Sequence, residues 1–236
     1  MSPRRSRRQR AATLPRQHRL CRLGRRLRIV ISAGPTREPL DPIRFLSNYS
    51  TGYMGRCLVE ETLARGHQAM LVSGPTGLIP PRGARVIWVE RAQDMRRALE
   101  RELRRADALI MAAAVCDFRP ARRASKKLPR RGRLRLELTS TPDIVGTLPR
   151  RPGQVFAGFA LETEAGFARA RAKLRAKRLD LIVGQQATRS PFGRRPVQAF
   201  IARAAGPVRR LGTVAKPKLA RALLDEIEQL WYGGTQ

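Results

Sequence analysis

Short apolar runs alternate with stretches of helical periodicity along most of this chain. The strand-like runs are residues 27–32, 69–73, 85–89, 108–113, 155–160 and 179–184. The helical stretches are residues 52–65, 92–105, 142–148, 164–178 and 216–232. Uninterrupted apolar runs are typical of strands that are covered on both faces. Their alternation with helices predicts an α/β fold with a doubly wound, mainly parallel, Rossmann-like sheet.

Two segments depart from this alternation. Residues 197–202 and 208–211 are separated by the turn residues Gly206 and Pro207, and they predict a β-hairpin added to the sheet. Residues 119–133 are basic, contain proline and show no periodicity. A segment of that length and composition predicts a functional loop, and we expect a basic active-site flap there.

The charge of the chain is strongly unbalanced, because 49 Lys and Arg residues face only 18 Asp and Glu residues and the net charge is +31. Only six of those basic residues are Lys. So strong a preference for Arg fits either a nucleic-acid-binding protein or a genome whose base composition favours Arg codons. Because Arg is spread over the whole chain, we favour the second interpretation and expect at most weak nucleic-acid binding, through the amino-terminal tail.

The amino-terminal residues 1–28 contain eleven Arg and no acidic residue. Such a segment buries too little apolar area to offset its ordering entropy, so we expect a disordered extension over 1–28 and a folded domain over 29–236. No apolar run suits a secretory signal or a membrane span, and the three Cys show no metal spacing. We therefore expect a cytoplasmic protein, while the true start codon stays open.

The polar segment between the first predicted strand and the first predicted helix is the main candidate for ligand binding. It ends at Gly52, where the free N–H groups and the dipole of the helix favour an anion. Ser50 and Thr51 also suit plain helix capping, and Asn48 can hydrogen-bond a developing oxyanion. No G-x-G-x-x-G follows the strand, so the dinucleotide-binding fingerprint is missing.

Other candidate residues lie at strand ends and helix ends. Asp117 follows small residues at the end of a predicted strand, where α/β proteins bind ligands, although close packing explains the small residues equally well. Lys173 and Lys177 share one helix face, which suits either a ligand or the carboxyl end of a helix. Residues 141–146 predict a helix start with Pro in its first position, for which plain capping is also sufficient.

Six motifs in this order resemble the phosphopantothenoylcysteine synthetase family, over residues 27–231. They are SAGPTREPLDPIR from Ser32, SNYSTGYMG from Ser47, AAAVCDF from Ala112, PDIV from Pro142, GFALE from Gly158 and KLRAKRLDLI from Lys173. The chain departs from the family pattern at Tyr53, where Lys is common, at Pro129 in the flap, and at Gln185-Gln186, where Asn-Asp is usual.

The resemblance implies a ligase that joins 4′-phosphopantothenate to L-cysteine through a CTP-derived acyl-cytidylate, in coenzyme A biosynthesis. It implies catalytic roles for Asn48, which would hold the acyl-cytidylate, and for Lys127, which would stabilise charge during its formation. The implied CTP contacts are Ala112, Ala113, Asp117, Lys127, Asp143, Ile144, Val145, Gly146, Phe159, Lys173 and Lys177. The implied phosphopantothenate contacts are Gly34, Thr36, Asn48, Ser50, Thr51 and Gly52.

The resemblance also implies CTP as co-substrate, Mg²⁺ bound mainly through the CTP phosphates, and a homodimer. Two other functions stay open from the sequence: a Rossmann-like dinucleotide-dependent reductase and a basic nucleic-acid-binding protein. The choice between CTP and ATP, the dimer geometry and the effects of Pro129 and Gln185-Gln186 also stay open.

Overall fold

The computed structural model describes residues 25–130, 132–162, 167–186 and 192–233. Its strands are β1 Arg28–Ala33, β2 Arg37–Pro39, β3 Phe45–Ser47, β4 Gln68–Ser73, β5 Arg85–Trp88, β6 Ala108–Met111, β7 Phe118–Pro120, β8 Leu138–Ser140, β9 Val155–Glu162, β10 Leu181–Gln186, β11 Val197–Arg203 and β12 Arg209–Val214. Its helices are α1 Tyr53–Ala64, α2 Ala92–Leu103, α3 Ile144–Thr147, α4 Phe167–Ala176 and α5 Lys216–Gly233.

An eight-stranded sheet forms the centre of the molecule, in the order β12-β11-β10-β9-β6-β1-β4-β5. The strands from β10 to β5 in this order pair in parallel. The last two strands, β11 and β12, pair antiparallel with their neighbours. The prediction of a doubly wound, mainly parallel sheet with an added hairpin is therefore confirmed.

Helices cover both faces of this sheet and bury it completely at its centre. Ile29 and Ile31 of β1 belong to the cluster that packs against α1 and α5. Val30, between them, points to the opposite face and packs in the cluster that includes Met95 and Leu99 of α2. Each fully buried side chain of this size contributes about 1.5–3 kcal/mol, which is why the three positions 29–31 are all apolar.

Two small antiparallel pairs lie outside the main sheet, and the periodicity did not predict them. β2 pairs with β3 inside the polar segment that follows β1. β7 pairs with β8, and these two strands form the base of the loop 121–137, which we call the flap. This loop contains most of the basic segment predicted as a flap.

The packed domain begins slightly earlier than the predicted boundary at residue 29. Leu27 is fully buried, and β1 starts at Arg28. The backbone N–H of Arg28 donates to Asp107 Oδ2 at 2.8 Å. The rest of the predicted extension, residues 1–24, lies outside the described residues.

The carboxyl-terminal helix α5 has 18 residues and one buried face. Leu223 and Ile227 on that face are fully buried, whereas Arg221 and Lys218 are exposed. Within the described parts of the chain, no helix combines the length and the apolar character needed to cross a membrane.

Candidate ligand-binding site

Two cavities open at the carboxyl edge of the parallel strands and share one wall. The first, of about 540 Å³, lies between the ends of β6 and β9, the start of α3 and the side of α4. The second, of about 280 Å³, lies between the end of β6 and the segment that leads into α1. The residues that line both cavities are Ala113, Ala114, Val115, Asp117, Phe159 and Leu161. A ligand that occupies both cavities therefore passes beside Asp117 and Phe159.

The segment before α1 forms one side of the second cavity through a tight turn. Gly52 has φ 77°, and a Cβ at this position would lie 2.8 Å from Cγ2 of Thr76, so the turn requires glycine. Ser50 Oγ accepts the N–H of Gly52 at 3.3 Å, and Thr51 Oγ1 accepts the N–H of Tyr53 at 3.4 Å. These two hydroxyls stabilise the approach to the helix and also line the cavity.

Asn48 is held at the mouth of the second cavity by a single hydrogen bond. Its Nδ2 donates to the carbonyl of Ala114 at 2.9 Å. Among the described residues this is its only hydrogen-bond partner, so its second N–H and its Oδ1 stay available to a ligand. The side chain is exposed, and it also lines an open groove beside Pro35 and Trp88.

Two predicted phosphopantothenate contacts, Gly34 and Thr36, lie behind the cavity wall. Thr36 is fully buried, and its Oγ1 accepts the N–H of Cys116 at 2.8 Å. Gly34 has φ 72°, and a Cβ there would lie 2.8 Å from Cγ2 of Thr76. Both residues line neither cavity. They support the cavity wall from behind, because the hydroxyl of Thr36 is hydrogen-bonded to Cys116 in the segment after β6.

The first cavity contains two lysines that pair with carboxylates. Lys173 Nζ lies 2.6 Å from Glu162 Oε1, and Lys177 Nζ lies 3.2 Å from Asp143 Oδ1. Asp143 also accepts the N–H of Gly146 at 3.3 Å and caps α3. Both lysine side chains are partly exposed, so these pairs contribute little to stability. A bound phosphate can therefore replace the carboxylates as the partner of the ammonium groups.

The structure brings most of the predicted CTP contacts together in the first cavity. Those that line it are Ala113, Asp117, Asp143, Ile144, Val145, Phe159, Lys173 and Lys177. Ala112 lines only the second cavity, and Gly146 lines neither because it lies behind Asp143.

Lys127 is not brought to either cavity. It is exposed on the flap, next to Leu128, whose backbone is hydrogen-bonded to Asp41 and Arg44. The turn 40–44 thus holds the flap at the residue next to Lys127.

Lys216 and Gln185 line the second cavity, and the sequence did not assign them a role. Lys216 is buried at the start of α5, its Nζ donates to the carbonyl of Gly193 at 2.7 Å, and burial lowers its pKa. Gln185 Nε2 is buried and has no hydrogen-bond partner among the described residues. Lys216 is one of only six Lys in the chain, and this scarcity is the sequence signal that could have identified it.

Fold and cavities together define the class of this protein: an α/β protein with two cavities at the carboxyl edge of a parallel sheet, the edge at which such folds bind ligands. The family model of the DNA/pantothenate metabolism flavoprotein (DFP) C-terminal domain matches residues 25–230. The chain belongs to this family, and the resemblance to phosphopantothenoylcysteine synthetases is confirmed.

Two curated relatives show the extent of the similarity. The cysteine/cysteine sulfinic acid decarboxylase of an unknown prokaryotic organism is 42% identical over 160 residues, which cover 66% of this chain and 45% of the relative. The coenzyme A biosynthesis bifunctional protein CoaBC of Bacillus subtilis (strain 168) is 40% identical over 207 residues, which cover 86% of this chain and 51% of the relative. The chain spans about half the length of the curated relatives it matches.

Solved structures agree with the fold over nearly all of the described chain. The crystal structure of the C-terminal domain of the bifunctional protein CoaBC is 35% identical, with a TM-score of 0.74, and the match covers 88% of this chain and 98% of that domain. The DNA/pantothenate metabolism flavoprotein from Streptococcus pneumoniae is 20% identical, with a TM-score of 0.75 over 86% of this chain and 98% of that chain, and it supports the fold alone.

Proposed function

We propose that this protein is a ligase that joins 4′-phosphopantothenate to L-cysteine with CTP as co-substrate, in coenzyme A biosynthesis. Membership of the DFP family and the similarity to the C-terminal domain of CoaBC support this activity. The observation that carries the proposal is the pair of joined cavities, one with two lysines and the other with Asn48. A reaction that activates a carboxylate and then couples it to an amine needs two such adjoining sites.

The first step would take place beside the lysine-containing cavity. A carboxylate oxygen of phosphopantothenate attacks the α-phosphorus of CTP, and pyrophosphate leaves. Lys173 and Lys177 would pair with phosphate oxygens, and Phe159 would pack against the nucleotide. These residues act by positioning the reactants and by balancing charge, which is the main need of phosphoryl chemistry.

The second step would take place at the shared wall. The amine of cysteine attacks the acyl carbon, CMP leaves, and the amine loses one proton as the amide forms. Asn48 would hold the acyl-cytidylate with the amide N–H that Ala114 does not use. Lys127 would act in the first step from the flap, where its side chain is exposed.

Mg²⁺ would bind mainly through the triphosphate oxygens of CTP. In the described residues no group of three His, Cys, Asp or Glu side chains is arranged to hold a metal ion. Asp117 lines both cavities and offers a carboxylate oxygen, the kind of ligand that Mg²⁺ prefers. The ion would neutralise the phosphate charge.

The experiment that tests the proposal measures pyrophosphate release from 4′-phosphopantothenate with Mg²⁺ and either CTP or ATP, with and without cysteine. We expect CTP-dependent release, with CMP and the cysteine amide as products. Release with ATP but not with CTP would contradict the proposed nucleotide and still support the ligase activity. No release with either nucleotide, from folded protein, would exclude the ligase.

Neither alternative gains support from the structure. The segment between β1 and α1 contains a β-hairpin instead of the short glycine-rich turn that binds a dinucleotide pyrophosphate. A nucleic-acid-binding role would appear as a steep dependence of affinity on salt concentration.

We also propose that the protein forms a homodimer through the base of the flap. Phe118, Leu134, Leu136 and Leu138 expose 55%, 56%, 41% and 43% of their surface there. An exposed apolar patch of this kind is more stable when a partner covers it. In sedimentation analysis we expect a dimer for the wild type and a monomer for Leu136→Asp. The control Ile79→Asp alters an equally apolar exposed residue outside the flap and should stay dimeric; a monomeric wild type would contradict the proposal.

A further inference from the structure

The turn between β2 and β3 is built around a buried carboxylate. The Asp41 side chain is fully buried. Its Oδ1 accepts the backbone N–H groups of Ile43 and Arg44, each at 2.8 Å. Its Oδ2 accepts Nε of Arg44 at 3.0 Å and Nη2 at 2.6 Å. The turn is therefore closed around an ion pair with well-defined geometry.

The same ion pair holds the flap. Leu128 donates its backbone N–H to Asp41 Oδ2 at 3.0 Å. The carbonyl of Leu128 accepts Nη2 of Arg44 at 2.6 Å. Nearby, the N–H of Ala124 donates to the carbonyl of Leu40 at 2.9 Å. Residues 40–44 thus form hydrogen bonds with the N–H and the carbonyl of Leu128 and with the N–H of Ala124.

The flap has few other attachments. Among its described residues, one further hydrogen bond joins Ala121 N–H to the carbonyl of Glu137 at 3.0 Å, at the base of the loop. Its described Lys and Arg side chains form no ion pair. The middle of the flap is therefore located by its hydrogen bonds to the turn.

The turn also leads directly to Asn48. β3 ends at Ser47, whose Oγ donates to the carbonyl of Thr36 at 2.8 Å, and Asn48 follows with its bond to Ala114. The hydrogen bond to Ala114, a residue of the cavity wall, thus fixes the position of Asn48. The turn joins this residue to the flap, in which Lys127 immediately precedes Leu128.

We propose that Asp41 is a positioning residue that fixes the flap, and with it Lys127, relative to Asn48. The consequence for Lys127 rests on the proposed ligase function, whereas the attachment of the flap does not. Burial opposes ionisation of Asp41, but hydrogen bonds from Leu128, Ile43 and Arg44 together hold the pKa of this carboxyl well below its usual range. The carboxylate therefore stays charged at neutral pH, as the attachment requires.

Hydrogen–deuterium exchange of the whole chain tests the attachment directly. In Asp41→Asn, one oxygen of the carboxylate becomes an NH₂ group that cannot accept a hydrogen bond. We expect the flap amides of Ala124 and Leu128, which are bonded to the turn, to exchange about 10- to 100-fold faster than in the wild type, while β1 and β6 stay protected. The matched control is Asp94→Asn, since Asp94 also pairs with an Arg three residues away in the chain but lies on α2.

Unchanged flap exchange in Asp41→Asn would overturn the proposal, and so would equal acceleration in Asp94→Asn. If Asp41→Asn does not fold, Arg44→Lys replaces it, because Lys keeps the charge but lacks the planar fork that reaches both Asp41 and Leu128. That variant should also accelerate exchange in the flap and leave β1 and β6 protected.

Pyrophosphate release tests the consequence for Lys127. We expect kcat of Asp41→Asn to fall about 10- to 100-fold, the range expected for a misplaced reacting group. KM for CTP should change little, because Asp41 does not line the first cavity. Faster flap exchange with unchanged kcat would overturn the positioning of Lys127. A wild type without pyrophosphate release would reject the ligase function instead, and the exchange result would still decide the attachment.

Discussion

The lysines of the first cavity are already paired with carboxylates across its opening. Lys177 spans from the end of α4 to Asp143 at the start of α3, and Lys173 reaches Glu162 at the end of β9. Partly exposed pairs of this kind exchange partners readily, because solvent screens them. These two residues can therefore change from structural partners into phosphate ligands without cost to the fold.

Replacing Lys177 by Met should weaken CTP binding and leave stability almost unchanged. Loss of one charge-assisted hydrogen bond to phosphate predicts a rise in Kd of about 10-fold or more. Calorimetric titration with CTP measures the effect. Lys218→Met is the control, because Lys218 is exposed on α5 and lines neither cavity; equal losses in both variants would contradict the assignment.

A second charged cluster lies far from the cavities and governs stability at low pH. Glu228 of α5 accepts hydrogen bonds from His67 and Arg65, each at 2.8 Å. His67 Nδ1 accepts the N–H of Leu27 at 3.3 Å, which leaves Nε2 as the ring nitrogen that donates to Glu228. Burial raises the pKa of Glu228, but His67 and Arg65 outweigh that effect and lower it overall.

Because the pKa of Glu228 is lower in the folded chain, its contribution to stability is complete above the unfolded value of about 4.3. It is lost as the pH falls through the lower folded value. Urea unfolding should show Glu228→Gln less stable at pH 7 by about 1–3 kcal/mol, with the difference shrinking in acid. Glu137→Gln, at an exposed position, should change little; a pH-independent deficit for Glu228→Gln would contradict the prediction.

Among the elements, α1 packs closely on β1, and this packing sets the position of one edge of the second cavity. Gly55 lies against β1, and a Cβ on it would lie 2.3 Å from Cβ of Ala33. Gly55 therefore serves the packing of the helix on the sheet, while Gly52 supplies the turn before it. The start of α1 reaches the second cavity because its first turn touches the sheet.

Gly55→Ala should push α1 away from β1 and destabilise the fold by about 1–3 kcal/mol, the usual cost of overpacking. Urea unfolding measures this loss. Gly77→Ala is the matched control, because a Cβ at Gly77 meets nothing within 4 Å. If both variants unfold at the same urea concentration as the wild type, the contact between α1 and β1 is looser than described.

The elements that the sequence predicted and those it missed differ in where their stability comes from. β1 is a mainly apolar run in which every residue from Ile29 onwards is buried, so the local sequence is enough to indicate a strand. β3 and β8 have three residues each and none of them buried, and they exist because another short strand pairs with each of them. The backbone contacts of Leu128 could not be predicted for the same reason, since they join the flap to a turn far away in the chain.

At the scale of the whole molecule, the joined cavities follow from the strand order. β6 and β9 are neighbours in the sheet, and their carboxyl ends place Asp117 and Phe159 on one wall. The motifs predicted both residues as ligand contacts. Only the tertiary arrangement shows that Ala113 lines the first cavity while Ala112 does not, and that Thr36 lies behind the wall. The sheet therefore decides which residues of a predicted motif can touch a ligand.

The antiparallel hairpin has a consequence for association between molecules. β12 is the outermost strand of the sheet on its side, and an open strand edge is a template for pairing with another chain. Arg209 and Arg210 are exposed on it and repel a second, equally basic edge. This repulsion is electrostatic and is screened at distances beyond about 8–10 Å at physiological salt. Colloidal stability of the protein should therefore fall as the ionic strength rises.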